Sequence, residues 1–133
     1  MKKTTKLKEL FNREKIFVWA GIACAIDARI AEAAGCECVA ISGASAAAFV
    51  YGLPDAGLIT ATEMIENPRR VATCVNIPVI CDADQAFGNA INTRRTVQEF
   101  TRSGVAGIHI EDQAFPKRCG YVKGKEVISI EEA

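Results

Sequence analysis

The chain has 133 residues, half of them apolar and 24% charged, a size and composition suited to one globular domain with a buried core rather than two. Its 16 basic and 16 acidic residues cancel and are mixed along the chain, which argues against a nucleic-acid or membrane-surface partner and for small molecules. Six cysteines with no CxxC pair, five of them inside or beside apolar runs, point to buried thiols in a reducing cytoplasm rather than to a disulfide scaffold.

In chain order, Leu7, Leu10 and Phe11 fall at helical spacing in a lysine-rich start. The following stretch "IFVWAGIACAI" has the length of a signal-peptide core, but Glu9 and Glu14 put acids in the leader, so an amphipathic helix followed by a buried strand at Phe17 to Ala20 explains both halves. Ile26, Ile30 and Ala33 mark one face of a helix that Gly35 ends as a left-handed cap. Cys38 to Ser42 reads as the second strand, and residues 43 to 59 as a short helix and a loop.

Thr60 and Glu63 form a capping-box pair opening a helix with Met64, Ile65, Val71 and Val75 on its apolar side. Pro68 either kinks that helix or starts a new one capped by Asn67. Val79 to Ala83 is the third strand, Asn92 to Ser103 a helix stopped by Gly104, and Val105 to Ile110 the fourth strand. "AGCECVAISG" and "SGVAGIHIED" share a layout, a glycine stop followed by a strand with a polar end, which suggests a repeated unit. The tail "ISIEEA" has the look of a helix cap and first turn. Short, continuous, β-branched strands separated by helices predict an α/β fold with about four parallel strands covered on both faces.

Side chains alternate across a strand, so Ile80, Asp82 and Asp84 share a face, as do Gly107, His109 and Glu111, and Ala40 and Ser42. Three successive strands therefore turn polar at their C-terminal ends, where (β/α) barrels and doubly wound sheets place their sites. Asp82, Asp84 and Glu111 would bring three hard oxygen donors together without a His/Cys cluster, which suits Mg²⁺ or Mn²⁺. Two like charges one residue apart call for something positive between them. A single aspartate after a strand is equally the N-cap of the next helix, and His109 equally a satisfied interior histidine; three buried carboxylates without a cation or proton would cost several kcal/mol each. In the loop after the fourth strand, Lys117, Arg118 and Cys119 precede Gly120. Nearby positive charge favours a thiolate suited to acid/base or nucleophilic work, and the alternative is a solvated basic loop.

The stretches "ISGAS", "YGLPDAGLITATEM", "PVICDAD", "FGNAINTRRTVQEF", "GVAGIHIEDQAFPKRCG" and "GKEVIS" resemble the isocitrate lyase and phosphoenolpyruvate mutase superfamily, closest to its methylisocitrate and dimethylmalate lyase branch. The resemblance implies the first half of a (β/α)8 barrel, with residues 1 to 133 as one partial-barrel domain. It also implies a Mg²⁺-dependent carbon–carbon lyase that cleaves a 2-hydroxy di- or tricarboxylate by retro-aldol chemistry, through a metal-stabilised enolate, to pyruvate or another 2-oxo acid. On this reading Asp82 and Asp84 ligate the metal, with Asp55 and Glu111 in its water-mediated shell. Ser42, Gly43, Ala44 and Gly120 contact a small carboxylate substrate. Cys119 is the acid/base residue on a mobile lid, with Lys117 beside it. A phosphonopyruvate mutase or hydrolase, or a non-catalytic half-barrel that binds only metal or a partner chain, is the alternative. Since such a barrel takes about 250 residues, the chain is expected to be a fragment, or to be completed by self-association or by a second half-barrel. Gln85 and Ala86 stand where the family commonly has Thr-Gly, and Tyr121 where the lyases commonly have histidine.

Overall fold

The computed structural model describes residues 1–133. Helix α1 (Lys3–Asn12) is followed by β1 (Ala20–Ile22), α2 (Ala25–Ala33), β2 (Val39–Ile41), α3 (Gly43–Ser45) continued by a π-helical segment (Ala46–Tyr51), α4 (Ala61–Cys74), β3 (Val79–Asp82), α5 (Ala90–Ser103) and β4 (Gly107–His109). The strands form one parallel sheet in the order β1-β2-β3-β4. Consecutive strands are neighbours and each crossover is helical, as the alternation of apolar runs and helical patterns predicts.

Local signals set the boundaries. Thr60 and Glu63 make the expected capping box at α4, the Asn89 side chain accepts from the Ile91 and Asn92 N–H groups at the start of α5, and Gly35 and Gly104 both take left-handed backbones after their helices. The two stretches with a common layout are thus two copies of helix stop and strand. Helix α4 runs unbroken through buried Pro68. The Asn67 carboxamide does not cap a new helix; it donates to the Ala23 carbonyl at 2.8 Å, tying α4 to the end of β1.

Val39, Ile41, Val79, Cys81 and Ala83 pack on one face of the sheet against Ala28, Met64, Val71 and Phe100 of the helices. Leu7 and Leu10 of α1 cover part of the opposite face with Cys38 and Ile80. Rings of Phe11, Phe17, Trp19 and His109 follow one another at 5.3, 5.9 and 6.0 Å between centroids. A flat sheet would hold its edge strands about 14 Å apart, so contact between Trp19, just before β1, and His109, at the end of β4, shows a sheet curled toward that second face. The outer sides of β1 and β4 remain unpaired.

Two expectations are corrected. The first strand lies at Ala20–Ile22, not Phe17 to Ala20: Phe17 packs its ring beside α1 while Gly21 and Ile22 pair with Ala40 and Ile41. On α2, Ile26 and Ile30 are 60% and 62% exposed, and the buried face is Ala28 and Ala31. Small residues let the helix sit close to its neighbours, which periodicity weighted toward large residues misses. No helix is long and apolar enough to cross a membrane, and all six cysteines are unpaired.

Candidate functional site

The C-terminal ends of β2, β3 and β4 carry the polar residues that strand parity places on the concave face. Asp82 ends β3 and is held from two sides: its Oδ2 accepts from the Gly43 N–H at 3.0 Å and its Oδ1 from the Asp84 N–H at 3.0 Å. Pairing continues past the strands, since the Ala83 N–H donates to the His109 carbonyl and the Glu111 N–H to that of Asp84. Asp84 itself adopts φ 44°, as Ala86 and Phe87 adopt 61° and 60°. Three non-glycine residues in the left-handed region are costly, on the order of 1–3 kcal/mol each, and Thr96 helps hold the turn by donating to the Ala86 carbonyl at 2.9 Å.

The two aspartates converge. A Cβ built on Gly43 would lie 3.0 Å from Asp84 Oδ1 and 3.1 Å from Asp82 Oδ2, so both carboxylates approach this glycine closely from one side and a side chain there would crowd them. Hard oxygen donors of this kind fit Mg²⁺ or Mn²⁺, and Mg²⁺ commonly uses one or two carboxylates with waters completing its shell. No group of three histidine, cysteine, aspartate or glutamate side chains is arranged to hold an ion, so Glu111 does not join the pair as a third direct donor.

The nearest positive charge is Lys117, which lies between Asp84 and Asp55 rather than between Asp82 and Asp84. Its side chain is 2% exposed and its Nζ pairs with Asp84 and, at 3.0 Å, with Asp55. Burial works against the ammonium, but the hydrogen bonds and charges of Asp84 and then Asp55 outweigh it and hold the amine above its ordinary pKa. Burial pushes the Asp84 carboxyl up, and Lys117 recovers part of that shift. Burial also raises Glu111, opposed by Lys117 and reinforced by Asp82 and Asp84. Burial, with the charges of Asp82 and Asp84 added, drives the Cys81 thiol well up, which makes it an inert core residue. Asp84 is therefore not a helix cap; Asn89 fills that place.

Cys119 and Gly120 lie on a loop whose neck is closed by an antiparallel bridge between Gln113 and Val127. Cys119 is half-buried, its carbonyl accepting from the Val122 N–H, and Gly120 is exposed with open space around it. Ser42 is exposed at the N-cap of α3, Gly43 is buried and Ala44 half-buried. A cavity of about 1200 Å³ opens past the ends of β3 and β4, lined among others by Asp84, Gln85, Phe87, Glu111 and Phe115. It shares Asp84 and Glu111 with the expected site, whereas Ser42, Gly43 and Cys119 do not line it. Gln85 brings to it a buried Nε2 without a hydrogen-bond partner. Sequence reasoning did not single out Gln113, whose role depends on loop geometry that no periodicity encodes.

The model of the phosphoenolpyruvate phosphomutase family matches residues 7–133. The chain is 42% identical to an isocitrate lyase of Haloferax volcanii over 131 residues, covering 98% of this chain and 38% of that protein. It is 40% identical to the 2,3-dimethylmalate lyase of Eubacterium barkeri over 132 residues, covering 99% and 46%. Among solved structures, a 2,3-dimethylmalate lyase superposes with TM-score 0.91 at 36% identity, over 99% of this chain and 44% of that one. A phosphonopyruvate hydrolase in complex with oxalate and Mg²⁺ superposes with TM-score 0.84 at 31% identity, over 99% and 44%. The chain thus spans less than half the length of the relatives it matches.

Proposed function

Because this chain belongs to the phosphoenolpyruvate phosphomutase family, within the superfamily that includes the isocitrate lyases, we propose that its strand ends supply the metal-binding half of a carbon–carbon lyase site. The reaction is retro-aldol cleavage of a 2-hydroxy di- or tricarboxylate to pyruvate or another 2-oxo acid. The observation that carries this reading is the close approach of the Asp82 and Asp84 carboxylates to the same side of Gly43. Those two carboxylates would hold Mg²⁺ or Mn²⁺, with Asp55 and Glu111 acting through water. An ion held there would supply positive charge to the substrate oxygen that becomes negative as the carbon–carbon bond breaks, an effect of several kcal/mol in a dry site.

The chain's own residues do the rest. Ser42, Gly43 and Ala44, at the end of β2, receive the carboxylate and keto end of the substrate. Lys117 balances the acids while no substrate is present. Cys119 exchanges a proton between its Sγ and the carbon released by cleavage, and Gly120 gives the loop the freedom to close over it and exclude water. The open sides of β1 and β4 are where a second half-barrel, from another copy or from further chain, would complete the walls. Cys119 following Lys117 and Arg118 favours the lyases over a phosphonopyruvate mutase or hydrolase.

A second reading, a half-barrel that binds a cation or partner chain without turnover, draws on Lys117 already neutralising Asp55 and Asp84. Pyruvate release from 2-methylisocitrate or 2,3-dimethylmalate, followed through lactate dehydrogenase, separates the two. The lyase reading expects release that needs Mg²⁺, stops with EDTA and is lost in Cys119→Ser. A folded oligomer that binds Mg²⁺ and releases nothing establishes the second.

A further inference from the structure

Beyond Glu111 the chain leaves the sheet and forms a loop closed at its base by Ala114 N–H donating to the Glu126 carbonyl at 2.8 Å and Ile128 N–H to that of Asp112 at 2.9 Å. Inside this neck the Gln113 carboxamide uses both of its ends. Its Nε2 donates to Glu111 Oε2 at 2.9 Å and to the Arg118 carbonyl at 3.1 Å, while its Oε1 accepts from the Arg118 N–H at 3.1 Å. One side chain thereby pairs with the backbone of Arg118 as a neighbouring strand would, and joins that residue to the carboxylate of Glu111. Arg118 lies between Lys117, whose ammonium reaches Asp55 and Asp84, and Cys119.

We propose that Gln113 is a positioning residue that fixes the loop bearing Cys119 relative to Glu111 and the aspartates. It touches no reacting atom and acts by holding the Arg118 backbone, which sends Lys117 inward to the acids and leaves Cys119 half-buried on the loop. The geometry calls for this side chain in particular. Leucine offers neither donor nor acceptor. Asparagine is one methylene shorter, and glutamate loses the donor and sets a second negative charge against Glu111. What Cys119 does once positioned rests on the lyase reading; the positioning itself does not.

The test is the rate of Cys119 alkylation by iodoacetamide, read by mass spectrometry of the peptide that contains it, on the full chain, with thermal unfolding measured alongside. Gln113→Leu is expected to raise the rate about tenfold, the scale of losing hydrogen bonds that include one to a charged acceptor, while moving the melting temperature little. Gln113→Glu alone is expected to be faster still. The exchange Glu111→Gln with Gln113→Glu restores an amide donor facing a carboxylate and keeps the acceptor for the Arg118 N–H but not the donor to its carbonyl, so it is expected to bring the rate well below that of Gln113→Glu alone without reaching the parent. A Gln113→Leu rate within twofold of the parent overturns the proposal. So does a double exchange as fast as Gln113→Glu, or a fall in melting temperature that accounts for the faster rate. Alkylation needs no turnover, so failure of the lyase assay and failure of this inference are read separately.

Discussion

Replacing Lys117 by methionine tests the electrostatic account of the strand ends. The ammonium is buried and paired with Asp84 and Asp55, so the substitution keeps most of the volume and removes the charge. Breaking a buried pair from one side costs about 3–5 kcal/mol because the partner charge is left uncompensated. Asp55 is partly exposed and water can take over its share, so the lower end, about 3 kcal/mol, is expected. For a chain of this size, at roughly 4 °C per kcal/mol, the melting temperature falls by about 12 °C at neutral pH. The sign of the pH dependence follows from Asp84. Its folded pKa lies above the unfolded value, so its contribution to stability is full below the unfolded value and is lost as pH rises through the folded one. Lys117 pulls that folded value down, and without it the loss extends to higher pH. Lys117's own contribution is present below the ordinary lysine pKa and is lost only in alkali, so the ammonium is in place at neutral pH and below, and the parent pair lasts until Asp84 is protonated. The variant's deficit is therefore largest near neutrality and shrinks as pH is lowered and Asp84, left without its cation, takes up a proton. Calorimetry at two pH values suffices. A variant melting within about 2 °C of the parent at both pH values would refute the assignment of Lys117 as the counter-ion of the acids.

Gly43→Ala places a methyl group about 3 Å from oxygens of both Asp82 and Asp84. It is expected to lower stability by about 1–3 kcal/mol in chemical unfolding and to weaken Mn²⁺ binding; an unchanged unfolding midpoint counts against the close approach. Asn67→Leu removes the buried donor to the Ala23 carbonyl and is expected to cost about 1–2 kcal/mol, measured by the same denaturant titration. The chain has one tryptophan and one histidine, whose rings meet across the curled sheet. His109→Ala is expected to shift Trp19 emission to longer wavelength as water reaches the uncovered ring face, and no shift would mean that the sheet edges do not lean together.

The parts of this fold that were legible in the sequence are those with a short-range cause. Strand parity put Asp82, Asp84 and Glu111 on one polar edge because side chains alternate with period two, and the stops at Gly35 and Gly104 followed from a left-handed backbone that glycine adopts freely. The Thr60–Glu63 box is a four-residue signal and formed as read. Long-range choices were not legible. Lys117 lies 33 residues from Asp84, and nothing local distinguishes it from Arg118, which stays exposed. That Asp84 needs a positive partner was visible; that a lysine from the following loop supplies it, shared with Asp55 rather than with Asp82, was not. The buried face of α2 was misassigned because close helix packing selects Ala28 and Ala31 over the larger Ile26 and Ile30. Ala86, which stands where the resemblance leads one to expect glycine, occupies a backbone conformation that suits glycine.

The central claim is that Asp82 and Asp84 together hold a divalent cation. Titration of the protein with Mn²⁺, followed by loss of the free-ion signal in electron paramagnetic resonance, tests it most directly. The account predicts one site per chain that Mg²⁺ competes for and that Asp82→Asn and Asp84→Asn each abolish while the fold persists. Mn²⁺ binding that survives both substitutions, or no binding by the folded parent, would contradict it.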